Sequence, residues 1–238
     1  MTADQAPREA RHAPPGFAWR VLSPIGAVVL AFALLIVGAG ILSLFDLSDD
    51  SVGAILAFGT GLLLLLFAIG LWRRLPEHER RLAVARPESL GRTVGLGTGM
   101  GAVVIIGAAI ILLTGSAIDP VVERRLEEVE EIGTAPWQLV LMVIALVVFA
   151  PLGEELLFRG LLLRGLVRKM RFWPAAMLSS ALFAAAHADA YLLWPRAVAL
   201  IATGMVLAWV YRKRGYWASV TTHATVNTIA SIALIASS

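Results

Sequence analysis

Two adjacent carboxylates, Glu154 and Glu155, and a guanidinium, Arg159, stand inside an otherwise apolar run from Trp137 to Leu163. A charge at bilayer depth costs at least ~2.5–3.5 kcal/mol on insertion scales, so such a group marks a functional position by default. Helical geometry separates the roles of the three. Glu155 and Arg159 are four apart with the acid N-terminal, the favourable order for an ion pair along a helix. Glu154 lies about 100° further round and cannot share that arginine equally. It is left as a desolvated carboxylate without a partner, which suits a general base. The plain alternative is a structural ion pair between helices.

Three further polar groups follow in the second half of the chain. His187 ends the stretch Phe183-Ala-Ala-Ala-His187, and His223 and Asn227 are four apart, on one face of a helix. At 1.5 Å per helical residue, Glu154 lies roughly 14 Å in from Leu163 and His187 roughly 20 Å in from Pro174. On the same count His223 and Asn227 lie roughly 9 and 15 Å in from Trp217. The four groups therefore share one slab about 10 Å thick. A carboxylate, two imidazoles and an amide suit hydrolysis. Glu154, with His187, can take a proton from water, and His223 with Asn227 can donate to the oxyanion of a tetrahedral intermediate. No serine sits in a recognisable nucleophile motif, Ser179 and Ser180 included. The runner-up chemistry is a zinc site on Glu154, His187 and His223, although no His-Glu-x-x-His spacing supports it. No other cofactor is implied.

The elements that must position these groups are membrane spans. With 58% hydrophobic residues and a mean hydropathy of +0.79 over 238 residues, the chain reads as an all-α polytopic bundle. Apolar runs at about 21–45, 52–72, 94–115, 137–163, 174–190, 195–211 and 217–236 make about seven spans. Residues 1–20 read as a cytoplasmic tail and 21–238 as a single transmembrane domain, with the chemistry confined to 137–231. The apolar run after the tail is too long for a signal-peptide core, so the first helix is expected to stay as an anchor.

The basic balance does not point to nucleic acid. Of 20 Lys and Arg, 16 fall in the tail, in 73–92, in 164–171 and in 212–214, which are alternate connections. The opposite connections hold only Arg124, Arg125 and Arg196. This asymmetry predicts the N-terminus in the cytoplasm and the C-terminus outside, and the expected location is the cell membrane. The absence of cysteine excludes disulfides, thiolate metal sites and a cysteine nucleophile. Gly95, Gly97, Gly99 and Gly101 form two overlapping small-xxx-small pairs, which let helices approach closely. Residues 119–132 read as a short interfacial helix with Val122, Leu126, Val129 and Ile132 on one face. His78, in a loop of mixed charge along the inner surface, is expected to be merely solvated.

The ordered set Glu154-Glu155-x-x-x-Arg159, Phe183-x-x-x-His187 and His223-x-x-x-Asn227 resembles the CPBP family of intramembrane proteases. That family comprises CAAX prenyl endopeptidases and bacteriocin-processing, immunity and abortive-infection-like proteins. Tyr211-Arg-Lys-Arg-Gly-Tyr-Trp217 also looks like the family's lead-in to its final histidine helix. The resemblance covers about 137–231 and implies Glu154 as the water-activating base, assisted by His187. It implies His223 and Asn227 as oxyanion donors, with Glu155 and Arg159 in support, and a peptide or protein substrate at the membrane. The expected function is an endopeptidase cutting near the cytoplasmic side of the bilayer. The alternatives are a non-catalytic immunity or scaffold relative and a proton-coupled transporter using Glu154 and His187. Reporter fusions after Arg92, Arg171 and Ser238 are expected to read inside, inside and outside; a cytoplasmic reporter at Ser238 contradicts seven spans.

Overall fold

The computed structural model of the chain describes residues 15–87, 89–127, 135–187, 191 and 193–237. All of its regular elements among these residues are helices, and their starts are written in the local chemistry. Helix α1 covers Phe17–Leu42 and α2 Asp49–Arg73, the latter begun by Ser48, whose hydroxyl accepts the Ser51 N–H at 3.3 Å. A short α3 (Glu77–Ala83) leads to α4 (Leu90–Ile118), begun by Ser89. Helix α5 (Pro120–Glu127) follows, with Asp119 accepting the Val121 N–H at 3.0 Å. The central helix α6 spans Pro136–Leu166; Gln138 accepts the Ala135 N–H and donates to Ser51 of α2 at 2.9 Å. Helices α7 (Phe172–Ala185), α8 (Trp194–Arg214) and α9 (Tyr216–Ser237) complete the bundle. Gly215 joins the last two at φ 81°, a left-handed conformation that favours glycine.

Helices α1, α2, α4, α6 and α8 are each long and apolar enough to cross a membrane. With α7, apolar but only 14 residues long, and the 22-residue α9, the expected count of about seven holds. Helix α6 sits at the centre. Every side chain from Glu155 to Leu163 is buried, against α1, α2, α7, α8 and α9. Helix α4 lies on the far side of α9. Of its two glycine pairs only one makes the contact: a Cβ at Gly97 would lie 2.6 Å from Thr221 Cβ, and one at Gly101 2.5 Å from Thr225 Cβ. Gly95 and Gly99 face open space.

Several expectations are corrected. Helix α1 begins at Phe17, inside the expected tail, and Arg20 is buried in it. Arg20 pairs with Glu79 of α3, to which Arg168 also approaches at 3.7 Å. The loop over 73–92 is thus tied into the core by a buried acid, because α3 folds back under α1 and the end of α6. Burial alone would push the Glu79 carboxyl up; hydrogen-bonded Arg20, with Arg168 and His78 beside it, holds it below the ordinary carboxylate value. That contribution to stability is present above the ordinary carboxylate range and is lost as pH falls through it. His78 itself is exposed, as expected. The interfacial helix is described as α5, with Val122 buried; residues 128–134 of the expected stretch lie outside the described residues. The fifth span ends at Ala185 rather than 190, and 188–190 are likewise outside the described residues.

The α4–α9 contact generates a selective test. Gly97→Leu and Gly101→Leu force the helices apart and are expected to lower stability by at least ~1–3 kcal/mol, the usual cost of overpacking. Gly99→Leu is expected to be silent. Thermal unfolding in detergent checks both.

Candidate active site

Helix α6 is not a uniform α-helix. It is α-helical over Pro136–Ile144 and Ala150–Glu154 but π-helical over Ala145–Phe149 and Glu155–Leu163, with a last α turn at Arg164–Leu166. Such widened segments are rare and occur frequently at functional sites. Proline chemistry accounts for a vacant acceptor here. The Ala150 N–H bonds to Ala145 O, five residues back. The next donor in that register would belong to Pro151, which has no N–H, so Leu146 O is left without a backbone partner. Asn227 of α9 supplies the missing hydrogen, its Nδ2 donating to Leu146 O at 2.7 Å. Two more α6 carbonyls are taken by neighbouring helices. Tyr216 Oη donates to Leu152 O at 2.8 Å and Ser179 Oγ to Phe158 O at 3.0 Å.

The acid pair divides as its spacing suggests. Glu155 is fully buried and bonded on both oxygens. Its Oε1 accepts from Arg159 Nη1 at 2.9 Å and from His223 Nδ1 at 3.1 Å, and its Oε2 accepts from Ser219 Oγ at 2.5 Å. Arg159 also donates from Nη2 to Gly204 O of α8 at 3.1 Å. Glu154 is different: its Oε2 is buried and has no hydrogen-bond partner. Facing that oxygen are the Nε2 atoms of His187 at 4.0 Å and His223 at 3.9 Å.

The hydrogen-bond partners fix both imidazoles. Phe183 O can only accept, so His187 Nδ1, 2.8 Å away, carries a proton. The Glu155 carboxylate, ion-paired to Arg159, also accepts, so His223 Nδ1 carries one too. In the neutral form each ring then turns a lone pair at Nε2 toward Glu154. Phe183 organises the group. Its ring lies 4.6 Å from His187, 5.8 Å from His223 and 4.6 Å from the Arg159 guanidinium. The site is closed on most sides; the side chains of Glu154 and His223 are 11% and 5% exposed, that of His187 26%.

The structure therefore gathers Glu154, Glu155, Arg159, His187 and His223. Asn227 joins them through Leu146 on the same central helix. One placement differs from expectation: His187 is not inside the fifth span, α7, but just beyond its end, its N–H bonded to Ala184 O at 3.0 Å. The chain turns there, which releases the ring to point back at α6. Glu155 also has more partners than the arginine that spacing assigned to it. Ser219, in the turn before His223, gave no signal in sequence because hydroxyls in apolar helices usually bond their own backbone. Glu154, His187 and His223 have the right chemistry for zinc, but no group of three acids, histidines or cysteines among the described residues stands at metal-holding positions.

Residues 136–229 match the family described as Type II CAAX prenyl endopeptidase Rce1-like. The match bears out the resemblance to CPBP intramembrane proteases over α6 to α9, the helices that carry all six candidate residues. The match covers less than half of the chain; with five helices long and apolar enough to cross a membrane, it supports a multi-pass membrane protein with a segment similar to intramembrane proteases. Searches of curated proteins and of solved structures return no match.

The pairing predicts how the mutants fail. Arg159→Ala leaves a buried carboxylate without its counter-ion and is expected to cost ~3–5 kcal/mol of stability. Ser219→Ala removes one buried hydrogen bond and is expected to cost ~1–3 kcal/mol. Glu154→Gln, at an oxygen with no partner to lose, is expected to leave the unfolding temperature unchanged. Equal losses in Arg159→Ala and Glu154→Gln contradict the division of roles.

Proposed function

We propose that the chain is a CAAX-type intramembrane endopeptidase in which Glu154 is the general base that activates water. The observation that carries the reading is the buried, unbonded Glu154 Oε2 with the Nε2 atoms of His187 and His223 3.9–4.0 Å away. Those separations are too long for direct hydrogen bonds and suit a water held between the carboxylate and the rings. Glu154 takes the proton as that water attacks the scissile carbonyl, and His187, on the open side, assists. His223 donates from Nε2 only when it carries a second proton. Its imidazolium would then stand on the Glu155 carboxylate and face the developing oxyanion. Asn227 has two amide hydrogens, and the bond to Leu146 O uses one.

The same distances bear on zinc. Tetrahedral ligands at ~2.0–2.1 Å from the metal lie about 3.3 Å from one another. The histidine-to-glutamate separations exceed that, which favours the glutamate mechanism over a metal-bound water. Both histidines also have Nδ1 partners of the kind that zinc ligands have.

Peptidase assays on reconstituted protein test the reading. Glu154→Gln is expected to abolish turnover while the fold persists. Asn227→Ala is expected to lower turnover by ~10²–10³, the usual loss for one oxyanion donor, with little change in substrate affinity. Asn227→Asp is expected to be no better, since an anion cannot donate. Activity is expected to survive exhaustive chelation. One tightly bound zinc that disappears in His187→Ala and His223→Ala overturns the mechanism, and full activity in Glu154→Gln overturns the function.

A further inference from the structure

At the basic end of the bundle, away from the acid pair, a pocket of about 480 Å³ opens between the ends of α6 and α8 and the start of α7. Arg164, Arg212 and Lys213 line it, and no carboxylate does. The nearby acids of α3 are engaged elsewhere: Glu79 with Arg20 and Arg168, Glu77 with Arg81. Two of the cationic groups are held in place rather than free in solvent. The Arg212 guanidinium lies 4.3 Å over the ring of Phe172, and Arg164 lies against the Tyr211 phenol. Tyr211 is itself buried and donates to Ala83 O at 3.1 Å. The pocket thus has a fixed floor and an uncompensated positive charge.

Its rim is apolar. Leu82 and Val167 line the pocket and are 58% and 41% exposed. Both α6 and α8 are membrane-crossing by length and composition, so their shared end lies where headgroups meet acyl chains. A small soluble anion would gain nothing from such a rim, whereas a phospholipid places its phosphate among the cations and its first methylenes on the leucine and valine. We propose that this pocket binds the phosphate headgroup of an anionic phospholipid. Basic pockets between the ends of membrane helices recognise such groups by charge and by a shaped floor. The site is separate from the proteolytic reading and does not rest on it.

The test is native mass spectrometry of the full chain in mild detergent, titrated with dioleoylphosphatidylglycerol. One saturable adduct is expected. Arg212→Ala with Lys213→Ala is expected to weaken it roughly ten- to thirty-fold, the effect of two interfacial basic residues. Arg73→Ala with Arg74→Ala, which removes the same charge from the end of α2, is expected to leave it unchanged. Dioleoylphosphatidylcholine is expected to bind far more weakly, and inorganic phosphate at millimolar concentration not to compete. Equal weakening in the two double variants means diffuse surface attraction and overturns the proposal. Equal binding of phosphatidylcholine, displacement by inorganic phosphate, or no adduct at all overturns it as well. Arg212 and Lys213 are exposed, so the variant is expected to fold, and its far-ultraviolet circular dichroism checks that.

Discussion

The carboxylate of Glu155 is the constraint around which the second half of the molecule is built. A buried acid is tolerated only if its counter-charge and its lone pairs are met, and here two helices meet them. Arg159 comes from the same helix, and Ser219 and His223 come from α9. Arg159 in turn reaches the backbone of α8 and the ring of Phe183 on α7. One charge therefore fixes the relative positions of α6, α7, α8 and α9. It also fixes which nitrogen of His223 faces Glu154. The other acid, Glu154, keeps an oxygen without a partner that faces the Nε2 atoms of His187 and His223.

Close approach makes this network possible, and small residues make close approach possible. Gly204 of α8 lies against Ser180, and a Cβ there would come within 2.8 Å of that side chain. Gly153, next to Glu154, would carry a Cβ 2.8 Å from the α2 backbone at Leu65. Helix α6 is thus pressed directly against the α2 backbone beside the acid pair. In lipid, where apolar burial gives helices little reason to associate, such contacts and the hydrogen bonds they permit supply the specificity.

Much of this was legible in the sequence. The seven apolar runs located the seven apolar helices to within a few residues, five of them long enough to cross a membrane. The Glu155–Arg159 pair followed from four-residue spacing, and that spacing survived the wider turn of the π segment. Depth placed His187, His223 and Glu154 in one slab of the membrane, and the structure brings both rings to within 4.0 Å of Glu154. What could not be read depended on backbone choices that hydropathy does not record. The π segments leave no compositional trace apart from Pro151. His187 lies past its helix end because the chain turns at Ala186, where nothing in an alanine run announces a stop. The Arg20–Glu79 pair joins residues 59 apart through a fold-back that charge counting read as solvated loop. Ser219 was hidden because a serine in an apolar helix is usually bland.

The bond from Asn227 to Leu146 has a consequence for how such a chain can drift. It exists because Pro151 withholds a hydrogen from the helix, and the amide stands in for that missing donor. A residue with its own N–H at 151 would compete with Asn227 for the same carbonyl, and loss of the amide would strand that carbonyl beside the proline. The two positions, 76 residues apart along the chain, form one heritable unit: a change at either alters what the other is for.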